Sequence, residues 1–311
     1  MLGDLLIMLE KSVSELVQGA FETLQKAFAR PPVKRAVFAI TGVLFVAGTY
    51  LSIKAVPGLL DRLSWPYVFL LFAVGAPLQM VAQSIDIAAM AKAVGARMSF
   101  FTCLRTSVVS TASNILPGPG GSLVRIAALS SGGASVSVAT WITLISGLIW
   151  MIVALAAAGF VLLQYNAGVA GGFVAAAAAI SIGVGVWANK LGLRPEQVFV
   201  VAVVKAAVVA IESLRYYLAL MALGIAPTFL QAIVLSVATV AGAIIAIAPS
   251  GLGVREAAAA LLAKAVALDP GAGFLSSALN RVTAYAFLAI MAAGLGLARR
   301  ETLFSQPRGG G

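Results

Sequence analysis

Two short segments of this chain combine proline, glycine and arginine in the same order. The first runs from Pro117 to Arg125 and reads PGPGGSLVR, and the second runs from Pro249 to Glu256 and reads PSGLGVRE. Proline removes a backbone donor and glycine loosens a helix, so each segment predicts a break followed by a new helix. Free N–H groups at a helix start attract an anion, and the guanidinium of Arg125 or Arg255 matches a phosphate or carboxylate. The pattern predicts anion binding, with Glu256 as a partner for one of these arginines when no ligand is bound.

Three more charged residues, Lys205, Glu212 and Arg215, lie inside an otherwise apolar stretch. On a helix they share one face, with Lys205 two turns before Glu212 and Arg215 one turn after it. A charge at the centre of a bilayer costs about 2.5–3.5 kcal/mol on insertion scales, so it must be paired or exposed to water. The three residues predict an intramembrane charge network. It either lines a transport pathway or only holds the helices together, and the sequence leaves both interpretations open.

Composition places the chain in a membrane. Of its 311 residues, 61% are hydrophobic and only 10% are charged, whereas soluble domains carry about 25% charged residues. The chain has no histidine and a single cysteine, Cys103, which removes the commonest general base and the usual metal ligands. We therefore expect no cofactor, no metal and no enzymatic activity. The alternative is an enzyme that modifies a lipid, with Glu212 or Glu256 as its base.

Apolar runs of about 20 residues predict transmembrane helices. Two other apolar stretches, 98–130 and 229–268, contain the Pro/Gly breaks and predict helical hairpins that enter the membrane and return on their own side. The fold class is an all-α integral membrane protein with about six full transmembrane helices and two broken re-entrant hairpins. The predicted full crossings are 36–53, 66–85, 137–163, 172–188, 197–223 and 276–298.

The distribution of charge predicts the orientation. The net charge of +10 comes mainly from lysines and arginines between the apolar runs, which favours membrane topology and anionic lipid over nucleic acid. With six crossings, the basic clusters near 30–35, 92–97, 190–194 and 299–300 all fall on one side. That side is expected to be cytoplasmic and to hold both termini.

Three full crossings separate the two hairpins, so they should enter from opposite membrane faces. Paired interrupted helices of opposite orientation are typical of an inverted repeat, in which they mark the transport site. Plain loops between ordinary helices would leave the same Pro/Gly breaks, and this alternative stays open.

The chain divides into three regions. Residues 1–34 predict an amphipathic helix and a basic linker, which lies either on the membrane surface or against the helical bundle. Charges throughout this region argue against a cleavable signal peptide. Residues 35–298 form the predicted transmembrane domain, and residues 299–311 are a predicted disordered cytoplasmic tail.

The two motifs resemble the lysylphosphatidylglycerol synthase transmembrane-region family over roughly residues 35–298. The chain is also similar to the flippase part of the multiple peptide resistance factor, and hopanoid-associated members are similar to it in size. It implies a bacterial inner-membrane protein that moves lipids between leaflets. Ser122 stands where many members carry an acid, so the resemblance supplies no acidic partner for Arg125. Together the residues and the resemblance give these candidate substrate-binding residues: Asn114, Pro117, Gly118, Gly120, Gly121, Arg125, Pro249, Gly251, Gly253, Arg255, Glu256 and Arg281.

The expected function is translocation of a lipid or lipid-linked molecule, with its head group bound between the two hairpins. The expected partners are membrane lipids with an anionic head group, or hopanoid or isoprenoid lipids, and no nucleic acid. A homo-oligomer or a lipid-synthesis partner is also compatible with the sequence. The alternative function is a non-transporting scaffold or accessory subunit of a lipid or hopanoid synthesis pathway, supported by the amphipathic region at 1–34.

Overall fold

A computed structural model describes residues 62–114, 119–244 and 251–304, together with scattered positions between 43 and 54. The predicted amphipathic region 1–34 lies outside the described residues, as do Pro117, Gly118 and Pro249, and the predicted crossing 36–53 is described only at those scattered positions.

The three long described ranges are helical and contain nine helices. Several begin at a side-chain cap: the Oγ atoms of Ser99 and Ser135 and the Oδ1 atom of Asn166 each accept a backbone N–H from the first helical turn. Among these residues, the helices are α1 (Trp65–Ala93), α2 (Phe100–Ser113), α3 (Gly120–Ser131), α4 (Val136–Leu162), α5 (Ala167–Lys190), α6 (Pro195–Ala222), α7 (Phe229–Ile244), α8 (Val254–Ala265) and α9 (Pro270–Phe304).

Five of the described helices are long and apolar enough to cross a membrane: α1, α4, α5, α6 and residues Pro270–Gly294 of α9. Large apolar side chains on three of them point outward, and Phe160, Ile182 and Phe199 are 71%, 71% and 68% exposed. Such a surface suits lipid rather than water. These helices confirm the all-α membrane fold class and correspond to five of the six predicted crossings. Helix α9 continues to Phe304, so part of the segment predicted as a tail is helical.

The two interrupted stretches each form a pair of short helices in contact, α2 with α3 and α7 with α8. The four helices have 14, 12, 16 and 12 residues. At 1.5 Å per residue they are about 18–24 Å long, less than the roughly 30 Å of a hydrocarbon core. None of the four is long enough to cross alone, as expected for hairpins that turn within the membrane.

The helix contacts repeat themselves along the chain. The contacts α1–α2, α2–α3 and α3–α4 recur as α6–α7, α7–α8 and α8–α9, and the long-range contacts α2–α9 and α1–α9 recur as α7–α4 and α6–α4. Exchanging α1–α4 for α6–α9 therefore reproduces this set of contacts. Three candidate crossings, α4, α5 and α6, separate the two hairpins, which agrees with the predicted inversion of the second unit relative to the first. Helix α6 lies centrally, in contact with α1, α4, α7 and α9.

Candidate functional site

Arg255 reaches the site from the first turn of α8, where its guanidinium meets a carboxylate of α6. Its Nη2 atom donates to Glu212 Oε1 at 2.7 Å. Its Nε atom donates to the hydroxyl of Tyr216 at 3.2 Å, and the guanidinium carbon lies 5.6 Å from the centre of the Tyr216 ring. The Tyr216 hydroxyl in turn donates to Ser277 Oγ of α9 at 3.2 Å. Arg255 is therefore held by a charge-assisted bond, a phenol and an aromatic face.

The Glu212 carboxylate collects donors from three helices besides α8. Thr239 of α7 donates to its Oε1 atom at 2.7 Å, and the side-chain amide of Asn280 of α9 does so at 3.1 Å. Arg215 Nη1 lies 3.4 Å from Oε2, and Arg215 Nη2 donates to the Asn280 carbonyl at 2.9 Å. The Glu212 side chain is only 4% exposed. A carboxylate this deeply buried needs such a full set of partners to stay charged.

Glu256 follows Arg255 directly but takes a different partner. Its Oε1 atom accepts Arg281 Nε at 2.8 Å, and its Oε2 atom accepts the Gly253 backbone N–H at 2.8 Å. The second bond caps the start of α8, because the free N–H groups there need acceptors. Glu256 thus pairs with Arg281 of α9, and not with Arg125 or Arg255 as the sequence suggested.

Close backbone packing fixes the turn of the second hairpin. Gly251 has a φ of +64°, and a Cβ atom there would lie 2.5 Å from the Gly242 carbonyl oxygen. Arg281 Nη2 donates to the Gly251 carbonyl at 3.3 Å, which ties the turn to α9. Only glycine fits this left-handed conformation at such close range.

The first hairpin brings Arg125 of α3 to an acid that the sequence analysis missed. Arg125 Nη1 lies 3.8 Å from Asp86 Oδ2, and the same oxygen accepts Lys205 Nζ of α6 at 2.7 Å. Ser146 of α4 donates to Asp86 Oδ1 at 3.2 Å. Asp86 therefore shares one negative charge between two cations, and its side chain is 2% exposed.

Arg125 is less fully bonded than Arg255. Its Nε atom is buried and has no hydrogen-bond partner among the residues that the structure describes, and its side chain is 22% exposed. The turn beside it is held by Gly121, whose N–H donates to Asn114 Oδ1 at 3.0 Å. A Cβ at Gly120 would lie 2.6 Å from the Ser113 carbonyl oxygen, so α2 and α3 meet closely here too.

The three charged residues that the sequence placed on one helix face belong to two different charge clusters in the structure. Lys205 bonds Asp86 near the first hairpin, whereas Glu212 and Arg215 belong to the cluster at the second. Asp86 escaped notice because the predicted crossing ended at residue 85, while helix α1 continues to Ala93. An acid that falls inside an apolar helix is the signal that would have found it.

A protein-family model supplies the comparison that decides identity. The model described as the lysylphosphatidylglycerol synthase TM region matches residues 35–191 and 188–292, most of the 311-residue chain. The chain belongs to this family. No curated protein is significantly similar to it. It is a multi-pass membrane protein of a flippase-like, lipid-related kind.

In this member of the lysylphosphatidylglycerol synthase transmembrane-region family, each hairpin carries one arginine on its second helix. Arg255 is the second residue of α8 and Arg125 the sixth residue of α3, and each approaches an acid on the crossing that precedes its hairpin. The pairs are Arg125 with Asp86 and Arg255 with Glu212. This repetition at the level of side chains matches the repetition of helix contacts.

The charges of these clusters do not cancel. Five cations face three carboxylates, an excess of two positive charges among the described residues at the hairpins and their neighbouring helices. The cations are Arg125, Lys205, Arg215, Arg255 and Arg281, and the acids are Asp86, Glu212 and Glu256. An anion is the natural complement of such a site.

A cavity of about 310 Å³ lies apart from these clusters, at the ends of α1 and α4 and the connection between α5 and α6. Its lining includes Val138, Ile142, Arg194 and Gln197. Gln197 also donates to the carbonyl of Ala93, another lining residue, at 3.1 Å. None of the hairpin arginines lines this space.

Proposed function

We propose that this protein moves a lipid or lipid-linked molecule with an anionic head group between the leaflets of the bacterial inner membrane. The observation that carries the proposal is the excess of two positive charges in the clusters around the hairpin arginines Arg125 and Arg255. Removing a charge from water costs several kcal/mol even after relaxation, so uncompensated cations are retained only for a purpose. A phosphate group entering between the hairpins offsets that cost.

The two clusters form successive stations along α6. Lys205 belongs to the first and Glu212 to the second, and seven residues of helix separate them by about 10 Å along the axis. In the predicted orientation the first station lies in the cytoplasmic half of the membrane and the second in the outer half. A head group handed from one to the other crosses the apolar core without losing a countercharge, while its acyl chains stay in lipid.

The inverted repeat supplies the movement that such a transfer needs. When one repeat rocks against the other, a site between them opens to each leaflet in turn. The short hairpin helices are the elements suited to this movement, because each hairpin consists of two short helices and not of one continuous span. The proposal assigns the protein transport without chemical conversion of the lipid.

A flipping assay in reconstituted liposomes tests the proposal. The labelled panel contains phosphatidylglycerol, zwitterionic phosphatidylethanolamine and an uncharged hopanoid. We expect flipping of the anionic lipid, and at least a tenfold loss of its rate in both Arg125→Ala and Arg255→Ala. Lys264→Ala is the matched control, since Lys264 is an exposed cation on the same helix as Arg255.

Any of three results would overturn the proposal. Unchanged flipping in both arginine variants would separate transport from the hairpins. An absence of flipping by folded native protein for every lipid of the panel would favour a scaffold for lipid synthesis, and hopanoid flipping alone would favour an uncharged cargo.

A further inference from the structure

We infer that the Glu212 carboxylate is a built-in competitor for the anionic head group at Arg255, occupying the place on the guanidinium that the ligand's phosphate takes. The inference rests on the proposed function and names the residue that sets affinity and release at the second station. A carboxylate and a phosphate oxygen engage a guanidinium through the same charge-assisted geometry.

Glu212 and Tyr216 together hold two of the three guanidinium nitrogens of Arg255. The Nη2 atom is bonded to Glu212 at 2.7 Å and the Nε atom to the Tyr216 hydroxyl at 3.2 Å. The ring of Tyr216 lies under the guanidinium. A phosphate that takes the position of the carboxylate on Nη2 must displace it, whereas the phenol and ring contacts can remain.

Arg125, the arginine of the first hairpin, is held less tightly by its acid than Arg255 is. Asp86 directs its shortest contact to Lys205, 2.7 Å away, and stays 3.8 Å from Arg125. The buried Nε atom of Arg125 has no partner among the described residues. The two hairpin arginines are thus bonded differently: Arg255 lies 2.7 Å from its acid, and Arg125 is the more available to an anion.

Glu212 is equipped to release Arg255 without becoming an orphaned buried charge. The carboxylate keeps the Thr239 hydroxyl at 2.7 Å, the Asn280 amide at 3.1 Å and Arg215 at 3.4 Å. These partners stabilise the ionised carboxylate after it leaves the guanidinium. An acid with Arg255 as its single partner would face the full penalty of an unpaired buried charge.

Competition by a resident carboxylate explains how a strongly cationic site avoids holding its ligand permanently. The free energy of ligand binding must offset the loss of the Arg255–Glu212 contact, so only a head group with full anionic charge binds. When the ligand leaves, the carboxylate returns to the Nη2 atom of Arg255. Glu212 thereby selects for charge and promotes release.

The test measures binding of a short-chain phosphatidylglycerol, dioctanoyl-phosphatidylglycerol, to purified full-length protein in detergent. The variant Glu212→Gln removes the negative charge, and its amide oxygen still accepts from Thr239 and Asn280. We expect at least a tenfold lower Kd than for the native protein, and a lower maximal flipping rate because release is slowed. Arg255→Ala should lose this binding. Glu196→Gln, an exposed acid at the start of the same helix, is the matched control and should bind as the native protein does.

Glu212→Asp guards against a variant that does not fold. Shortening the side chain by one methylene withdraws the carboxylate from Arg255 but keeps its charge near Arg215, so we expect a Kd between those of the native protein and Glu212→Gln. A merely structural role for Glu212 would weaken binding in both variants and would not tighten it.

The outcomes separate the inference from the proposed function. If native binding depends on Arg255 and neither Glu212 variant binds more tightly, the competitor is disproved and the transport site stands. If no form of the protein shows binding that depends on Arg255, the proposed site fails, and the inference with it. Binding that appears only in the Glu212 variants would support the inference directly.

Discussion

Buried charged residues in this protein are bonded to one another across helices, and the quality of each bond differs. Glu256 and Arg281 form a closed pair at 2.8 Å, with the carboxylate also capping a helix. Asp86 instead divides one charge between Lys205 and Arg125. Closed pairs of this kind hold helices together, whereas a shared carboxylate leaves positive charge for a ligand.

Removal of Asp86 should therefore destabilise the fold. In Asp86→Ala, Lys205 and Arg125 stay buried without a countercharge, and breaking a buried pair costs about 3–5 kcal/mol. Unfolding in mild detergent, followed by circular dichroism, measures the loss. The double variant Asp86→Ala/Lys205→Met should recover most of it, because the cation nearest the lost carboxylate is then gone.

Glu196→Ala serves as the control for Asp86→Ala, because Glu196 is an exposed acid. Surface substitutions of this kind usually change stability by less than about 0.5 kcal/mol. A cost for Asp86→Ala no greater than that of the control would show that the Asp86 contacts contribute nothing to the fold.

At the scale of elements, the hairpins depend on close backbone approach at their turns. The second hairpin brings Gly251 against Gly242, and the first brings Gly120 against Ser113. Arg255 lies only four residues after Gly251, so the geometry of the turn sets the direction from which its guanidinium enters the site. Local backbone packing and charge placement are therefore coupled.

Gly251→Ala should force the second hairpin apart. The new Cβ would lie 2.5 Å from the Gly242 carbonyl oxygen, and the left-handed φ of +64° adds strain. We expect a stability loss greater than about 1 kcal/mol and impaired flipping. Thermal unfolding and the liposome assay measure the two effects.

Gly192→Ala is the control that separates backbone strain from steric overlap of the added Cβ. Gly192 has a similar φ of +66°, but nothing lies within 4 Å of its added Cβ. It should lose stability from strain alone and keep normal flipping. Equal effects at the two glycines would mean that the Gly251–Gly242 contact is unimportant.

At the scale of the whole molecule, the helix contacts repeat, and the number of crossings predicts that the two hairpins lie on opposite membrane faces. Helices α1–α4 and α6–α9 make equivalent sets of contacts, and α6 joins the two charge clusters. An odd number of crossings between the hairpins predicts that the repeat is inverted. Under the proposed function, such an arrangement would let one set of side chains serve each leaflet in turn.

Cysteine labelling in intact cells tests the inversion. In a Cys103→Ala background, Ser131→Cys reports the open end of the first hairpin and Ala267→Cys that of the second; both positions are exposed. We expect a membrane-impermeant maleimide to label Ala267→Cys in intact cells, and Ser131→Cys only after permeabilisation. Labelling of both positions from one side would contradict the inverted repeat.

Much of the fold was predictable because membrane helices are specified by consecutive residues. Long apolar runs predicted the crossings, since about 20 apolar residues span a bilayer whatever they pack against. Prolines and glycines predicted the hairpin breaks through their effect on the local backbone. The family was also recognisable from the motifs at 114–125 and 249–256, which matches the family comparison.

The partners of the charges were decided by tertiary structure alone. Asp86 and Lys205 are 119 positions apart in the chain, and Glu212 and Arg255 are 43 apart. No local pattern links such residues, because their distance depends on how α1, α6 and α8 pack. The sequence by itself determined that arginines would lie near broken helices in a membrane. Which carboxylate each would meet, and how tightly, followed only when the helices were brought together.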